Sequence, residues 1–139
     1  MSLRRVVKLL DRAEQMLRDA ENDLDNGFPD LALFHVEQAL QLSLKALLAA
    51  YMGSYPREDR LRRLLALARE ATRDDYYAEV AGLRKDLLRL LETAYTEARY
   101  GGEYFEEEDA REALELAREL LARIRKSIRA GVNGNGNQQ

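Results

Sequence analysis

The chain has no cysteine, two prolines and a single histidine. Without cysteine there is neither a disulfide framework nor a thiolate metal site, and the plain reading is a cytoplasmic protein. His35 has Leu31, Ala32, Gln38 and Ala39 as its helical neighbours, none of which can help it hold a metal. A structural or interface histidine is the better reading, and no metal site is expected. No apolar run approaches the roughly 20 residues that a membrane span requires. Met1-Ser2-Leu3-Arg4-Arg5 enters a charged amphipathic pattern at once, without the apolar core of a signal peptide. A glycine-rich phosphate loop and a serine triad are also missing, so no cofactor is indicated. Period-two alternation occurs nowhere, which excludes a β-sheet protein.

What remains is helical. At 139 residues the chain fits one domain. Its few glycines and prolines punctuate about five helices. The first runs from about Leu3 to Asp25 and stops at Asn26-Gly27, with Leu3, Val6, Leu10, Ala13, Leu17, Ala20 and Leu24 forming one narrow seam. The second runs from about Pro29 to Met52 and ends at Gly53. It carries a stripe of small residues (Ala32, Ala39, Ser43, Ala46, Ala50) beside a bulky one (Leu33, Val36, Leu40, Leu44, Leu47, Tyr51). A helix apolar over so wide an arc belongs at the centre of a bundle. The third covers about Asp59 to Thr72, with Leu61, Leu64, Leu65 and Ala68 inward. The fourth is capped by Asp74 or Asp75 and reaches about Arg99, burying Val80, Leu83, Leu87, Leu90, Leu91, Ala94 and Ala98. The fifth spans about Glu106 to Ala130 and is capped by Gly131. Ala110, Ala113, Leu114, Ala117, Leu120, Leu121, Ile124 and Ile128 form its inner face. The expectation is an all-α, up-and-down antiparallel bundle over residues 1–131, followed by a disordered polar tail over 132–139.

The net charge of −3 argues against broad nucleic-acid coating. Acid at 103–109 and base at 123–129 complement the dipole of the last helix. The first helix has the opposite polarity. Arg4, Arg5, Lys8 and Arg12 crowd its start, while Asp19, Glu21, Asp23 and Asp25 crowd its end. Nothing within the helix accounts for this, so compensation falls to a neighbouring helix or a second subunit.

One group could carry chemistry. Tyr95 and Arg99 are four apart and share a helix face; Tyr100, Gly101-Gly102, Glu103 and Tyr104 follow. An arginine among tyrosines beside a glycine break suits an anion or nucleotide, through a bidentate phosphate contact and base stacking. Tyrosines packing a helix end, with the arginine tied to Glu92 or Glu103, would look the same in sequence.

Gln38-Ala39 followed by Lys45-Ala46 on the second helix, and Ala98-Arg99-Tyr100 leading to Asp109-Ala110, occur in an informative order. Together they resemble the HEPN family (higher eukaryotes and prokaryotes nucleotide-binding domain), in particular its small stand-alone prokaryotic members. The resemblance covers nearly the whole chain except the tail. It implies a helical bundle, usually a homodimer, often acting with a minimal nucleotidyltransferase in a two-component system of toxin–antitoxin type. Some members are metal-independent ribonucleases whose motif is an arginine, four to six residues, then a histidine. Here Arg99 matches, but Tyr104, Phe105 and Glu106 stand where the histidine would fall. Metal-free RNA cleavage wants a group that exchanges protons near neutral pH, and tyrosine, with a pKa near 10, is a poor substitute for imidazole.

Three readings follow. The first is a nucleotide-binding or interaction module, a homodimer in which Arg99, Tyr100, Tyr95 and Tyr104 contact a nucleotide, RNA or the partner. The second is a divergent ribonuclease using Arg99 with Tyr104, or with His35 from another helix. The third is a purely structural helical dimer. The missing histidine disfavours enzymatic activity of the chain on its own.

Overall fold

Helix boundaries follow the residue types that can end a helix. In the computed structural model, which describes residues 2–97 and 105–137 (side chains to Asn133), α1 spans Leu3–Asp25. Ser2 caps it, its hydroxyl accepting the Arg5 N–H at 3.3 Å. Gly27 lies beyond its end with φ +82°, a left-handed conformation that a residue with a Cβ rarely adopts. α2, Pro29–Met52, opens on proline and closes on Gly53, φ +83°, whose N–H bonds the Ala49 carbonyl. α3 is Leu61–Thr72, α4 Tyr76–Leu83, α5 Lys85–Glu97 and α6 Glu107–Asn137. There is no strand among the described residues.

α2 is the centre, as its wide apolar arc predicts. Ala32, Leu33, Val36, Ala39, Leu40, Ser43, Leu44, Ala46 and Leu47 are all buried. α1, α3, α5 and α6 pack around it. The α1 seam closes the bundle on one side with Val6, Leu10, Ala13, Leu17, Ala20 and Leu24; Leu3, expected in that seam, is exposed. Glu21 of α1 pairs with Arg118 of α6, tying the two outer helices together.

Two expectations need correction. There are six helices among the described residues, because the expected fourth helix is two. Arg84 leaves helical geometry (φ −112°, ψ 28°) between α4 and α5. Tyr77 and Val80 face the core before the break, and Leu87, Leu88, Leu91 and Ala94 after it. Leu83, expected inside, is 84% exposed, and Leu90 is only partly buried. The cause is tertiary. Tyr77 is fully buried and its hydroxyl lies 2.7 Å from the Ser127 hydroxyl of α6, so α4 is anchored to one neighbour while α5 packs on α2. Gly82 makes the break cheap, being roughly 1 kcal/mol poorer than alanine inside a helix.

The second correction concerns Gly131, which does not cap the last helix; α6 continues to Asn137. A Cβ at Gly131 would lie 2.8 Å from Cζ of Tyr51. The glycine therefore serves packing: it lets the Tyr51 ring lie against α6, where the Tyr51 hydroxyl donates to the Ser127 carbonyl at 2.8 Å. Leu116 joins the buried face of α6 while Leu114 lies at its edge.

Candidate functional site

The α1–α2 hairpin turns at Asn26-Gly27, which brings the last turn of α1 against the second turn of α2. Asp23 Oδ2 of α1 thereby meets His35 Nδ1 of α2 at 2.5 Å. An ionised carboxylate can only accept, so Nδ1 carries the proton of this bond. Both side chains are mostly covered, at 24% and 17% exposure. An imidazole oriented by a carboxylate in this way is the arrangement a general base requires.

Aromatic contacts extend this pair toward α5. The ring of Phe34 meets that of His35 edge-on, with centroids 5.6 Å apart. It also stacks on Tyr95 in the last turn of α5, with centroids 6.3 Å apart and planes 4° from parallel. Offset stacking of this kind adds about 0.5–1.5 kcal/mol beyond area burial and fixes both rings. Of the residues singled out in the sequence, Tyr95 is thus part of a cluster with Phe34, His35 and Asp23. Arg99, Tyr100 and Tyr104 lie outside the described residues. Glu92 does pair, but with Arg62 of α3, Nη2 to Oε2 at 3.4 Å.

A second polar centre lies deeper. Glu37 of α2 is 1% exposed and accepts from the Gln41 amide at 2.6 Å and the Gln38 amide at 2.9 Å. Burial pushes its carboxyl up to about 7, against the two amide hydrogen bonds; Asp59 and Glu92 add like charge. A carboxyl that exchanges its proton near neutrality has the acid–base capacity that tyrosine lacks. It is enclosed, however, and burial is what holds its proton, since both glutamine amides donate to it and favour the charged form.

The opposite end of the bundle is a structural tie. His35 and Tyr51 are separated by about 24 Å along α2. Asp74, just before α4, receives Arg123 of α6 through Nη2 at 2.7 Å and Nε at 3.0 Å, and the guanidinium covers the Tyr76 ring at 4.5 Å. Burial would raise the Asp74 carboxyl, but the Tyr76 N–H and the Arg123 guanidinium outweigh it and hold the group below its ordinary range. Burial pushes the Tyr77 hydroxyl up to about 12.

Asp23, Phe34 and Glu37 were not singled out in the sequence. Asp23 reads as one acid among several at the end of α1, and only the hairpin shows its partner. Glu37 could have been found: it sits four after Leu33 and three before Leu40, inside the buried arc of α2. Among the described residues no group of three or more histidine, cysteine, aspartate or glutamate side chains could hold a metal. Nor is any described helix long and apolar enough to cross a membrane.

Comparison with known proteins adds to this geometry. The HEPN domain family model matches residues 6–127. The crystal structure of TT1696 from Thermus thermophilus is similar to this fold with a TM-score of 0.70. The two sequences are 26% identical, over 88% of this chain and 98% of that one. No curated protein matches.

Proposed function

The chain belongs to the HEPN domain family, and on that premise we propose that it is a nucleotide-binding and interaction module. In this reading it is a cytoplasmic homodimer that works with a minimal nucleotidyltransferase in a two-component system of toxin–antitoxin type. Arg99 supplies the anion contact, and Tyr95, Tyr100 and Tyr104 supply aromatic surface for a base or for the partner. The observation that carries the reading is the family match, which spans residues 95–104. The rigid stack of Tyr95 on Phe34 supports it, since a ring already held in place loses little freedom on binding. Equilibrium titration of a fluorescent ATP analogue tests it. Arg99→Ala should weaken binding by at least about tenfold, as expected for a lost charge-assisted contact. Equal affinity in both proteins counts against Arg99.

The His35–Asp23 pair favours a second reading, a divergent metal-independent ribonuclease. The imidazole absent from positions 104–106 would then come from α2, oriented by Asp23. Incubation with tRNA and mRNA decides it. Cleavage that disappears in both Arg99→Ala and His35→Ala supports this site, and cleavage that survives in either, or none at all, excludes it.

A further inference from the structure

The reversed polarity of α1 is compensated only at its acidic end; its basic start has no acidic partner among the described residues. Arg5, Lys8 and Arg12 make no ion pair among them. Arg5 and Lys8 are three apart, and Arg4–Lys8 and Lys8–Arg12 four apart, spacings at which like charges on a helix repel. They also stand at the positive end of the helix dipole, with no acid in the first turn. Each term is small, and only the Lys8–Asp11 spacing opposes them. The acids gathered at the far end of α1 do pair, Glu21 with Arg118 and Asp23 with His35. The cations at its start are left facing outward.

They line a cleft. Arg5, Lys8, Leu9 and Arg12 of α1, Leu42 of α2 and Tyr55 of the α2–α3 connection enclose about 340 Å³. That falls within the roughly 300–1,000 Å³ of small-molecule sites. Among the described residues no acidic side chain lines it. Tyr55 is 40% exposed, and its ring is steadied by Lys45, whose ammonium lies 5.7 Å from the centroid and 2.7 Å from Asp59 Oδ1. The cleft thus joins three cations without an ion-pair partner among the described residues, an apolar floor and an exposed aromatic ring.

We propose that this cleft binds single-stranded RNA, with backbone phosphates on Arg5, Lys8 and Arg12 and a base against Tyr55. The three cations are spread over about 10 Å along α1, more than one phosphate can bridge. A basic track beside an aromatic platform is the usual arrangement for single strands. The net charge of −3 argues against coating of the whole surface. The proposal goes beyond the reading above, because it uses none of residues 95–104.

Fluorescence polarisation with a short fluorescein-labelled oligoadenylate tests it, on the full chain. The triple variant Arg5→Gln, Lys8→Gln, Arg12→Gln should lose about 100-fold in affinity. Its log–log salt slope should fall by about two, at roughly 0.7 per phosphate contact on a single strand. Tyr55→Ala should cost about tenfold through lost stacking. The triple variant should melt no lower than the parent, since it removes like-charge repulsion, so loss of binding cannot be ascribed to unfolding. A control removing the same charge elsewhere (Arg18→Gln, Arg111→Gln, Arg129→Gln) should retain most of the affinity. Equal loss in that control, unchanged binding in the triple variant, or no binding by the parent overturns the proposal. Loss in the triple variant with none in Tyr55→Ala overturns the assignment to RNA in favour of a bare polyanion. Arg99→Ala run alongside keeps the two readings separate: if it abolishes RNA binding and the triple variant does not, the cleft is refuted and the α5–α6 site stands.

Discussion

Replacing Glu37 with glutamine should stabilise the protein, by an amount that grows with pH. Glu37 is enclosed in α2 and its carboxyl is pushed from an ordinary 4.5 up to about 7. In the unfolded chain it ionises near its ordinary value. The folded state therefore holds a proton that the unfolded state releases, and stability falls as pH rises through this window. Below about pH 4.5 both states are protonated and the group costs nothing by this route. Above about pH 7 the full difference applies, about 2.5 pKa units at 1.36 kcal/mol each, or about 3 kcal/mol. Glutamine keeps the shape and a carbonyl acceptor without the ionisation. Gln38 or Gln41 must turn its amide to receive the new N–H, which offsets some of the gain. Urea unfolding of both proteins at a series of pH values measures the difference. The variant should be close to the parent near pH 4.5 and ahead by about 2–3 kcal/mol near pH 8. A difference that does not change with pH would refute the burial argument, as would a variant less stable throughout.

Four other substitutions probe the packing. Ala46→Leu, at a position with no exposure in the centre of α2, should lower stability by about 1–3 kcal/mol in thermal or urea unfolding, and Ala39→Leu should do the same. Gly131→Ala should bring no gain in the parent, because its Cβ would displace the Tyr51 ring. In a Tyr51→Ala background the same change should gain up to about 1 kcal/mol, the ordinary helix advantage of alanine, when the double-mutant cycle is measured by urea unfolding. Arg123→Gln should lower the urea midpoint only modestly, because the Asp74 pair is partly open to solvent.

The sequence showed much of the fold, and the reason is local. Gly27, Pro29 and Gly53 mark the end of α1 and both ends of α2 by backbone preference alone, so Leu3–Asp25 and Pro29–Met52 match the expected bounds. The seam of α1 beyond Leu3 and the wide arc of α2 are periodicities within one helix, and they bury as expected except for Ala50 and Tyr51, which are partly buried. What could not be read depends on contacts between helices. The break at Arg84 is set by the anchorage of Tyr77 to Ser127, fifty residues away in sequence. Gly131 has the residue type of a cap and the task of a packing surface, and only the position of Tyr51 distinguishes them. At the candidate site, Tyr95 was legible as one face of a helix. The stack with Phe34 and the pairing of His35 with Asp23 were not, because their partners lie on other helices. The unusual charge order of α1 was visible at once, but its consequence needed the cleft beside Tyr55.

In the proposed function the chain acts through a partner. A pull-down of the tagged, full-length protein from its native host, with bound proteins identified by mass spectrometry, tests that most directly. The expected result is recovery of a small nucleotidyltransferase, with less of it on Arg99→Ala. Recovery of the chain alone, at equal yield from both proteins, would contradict it.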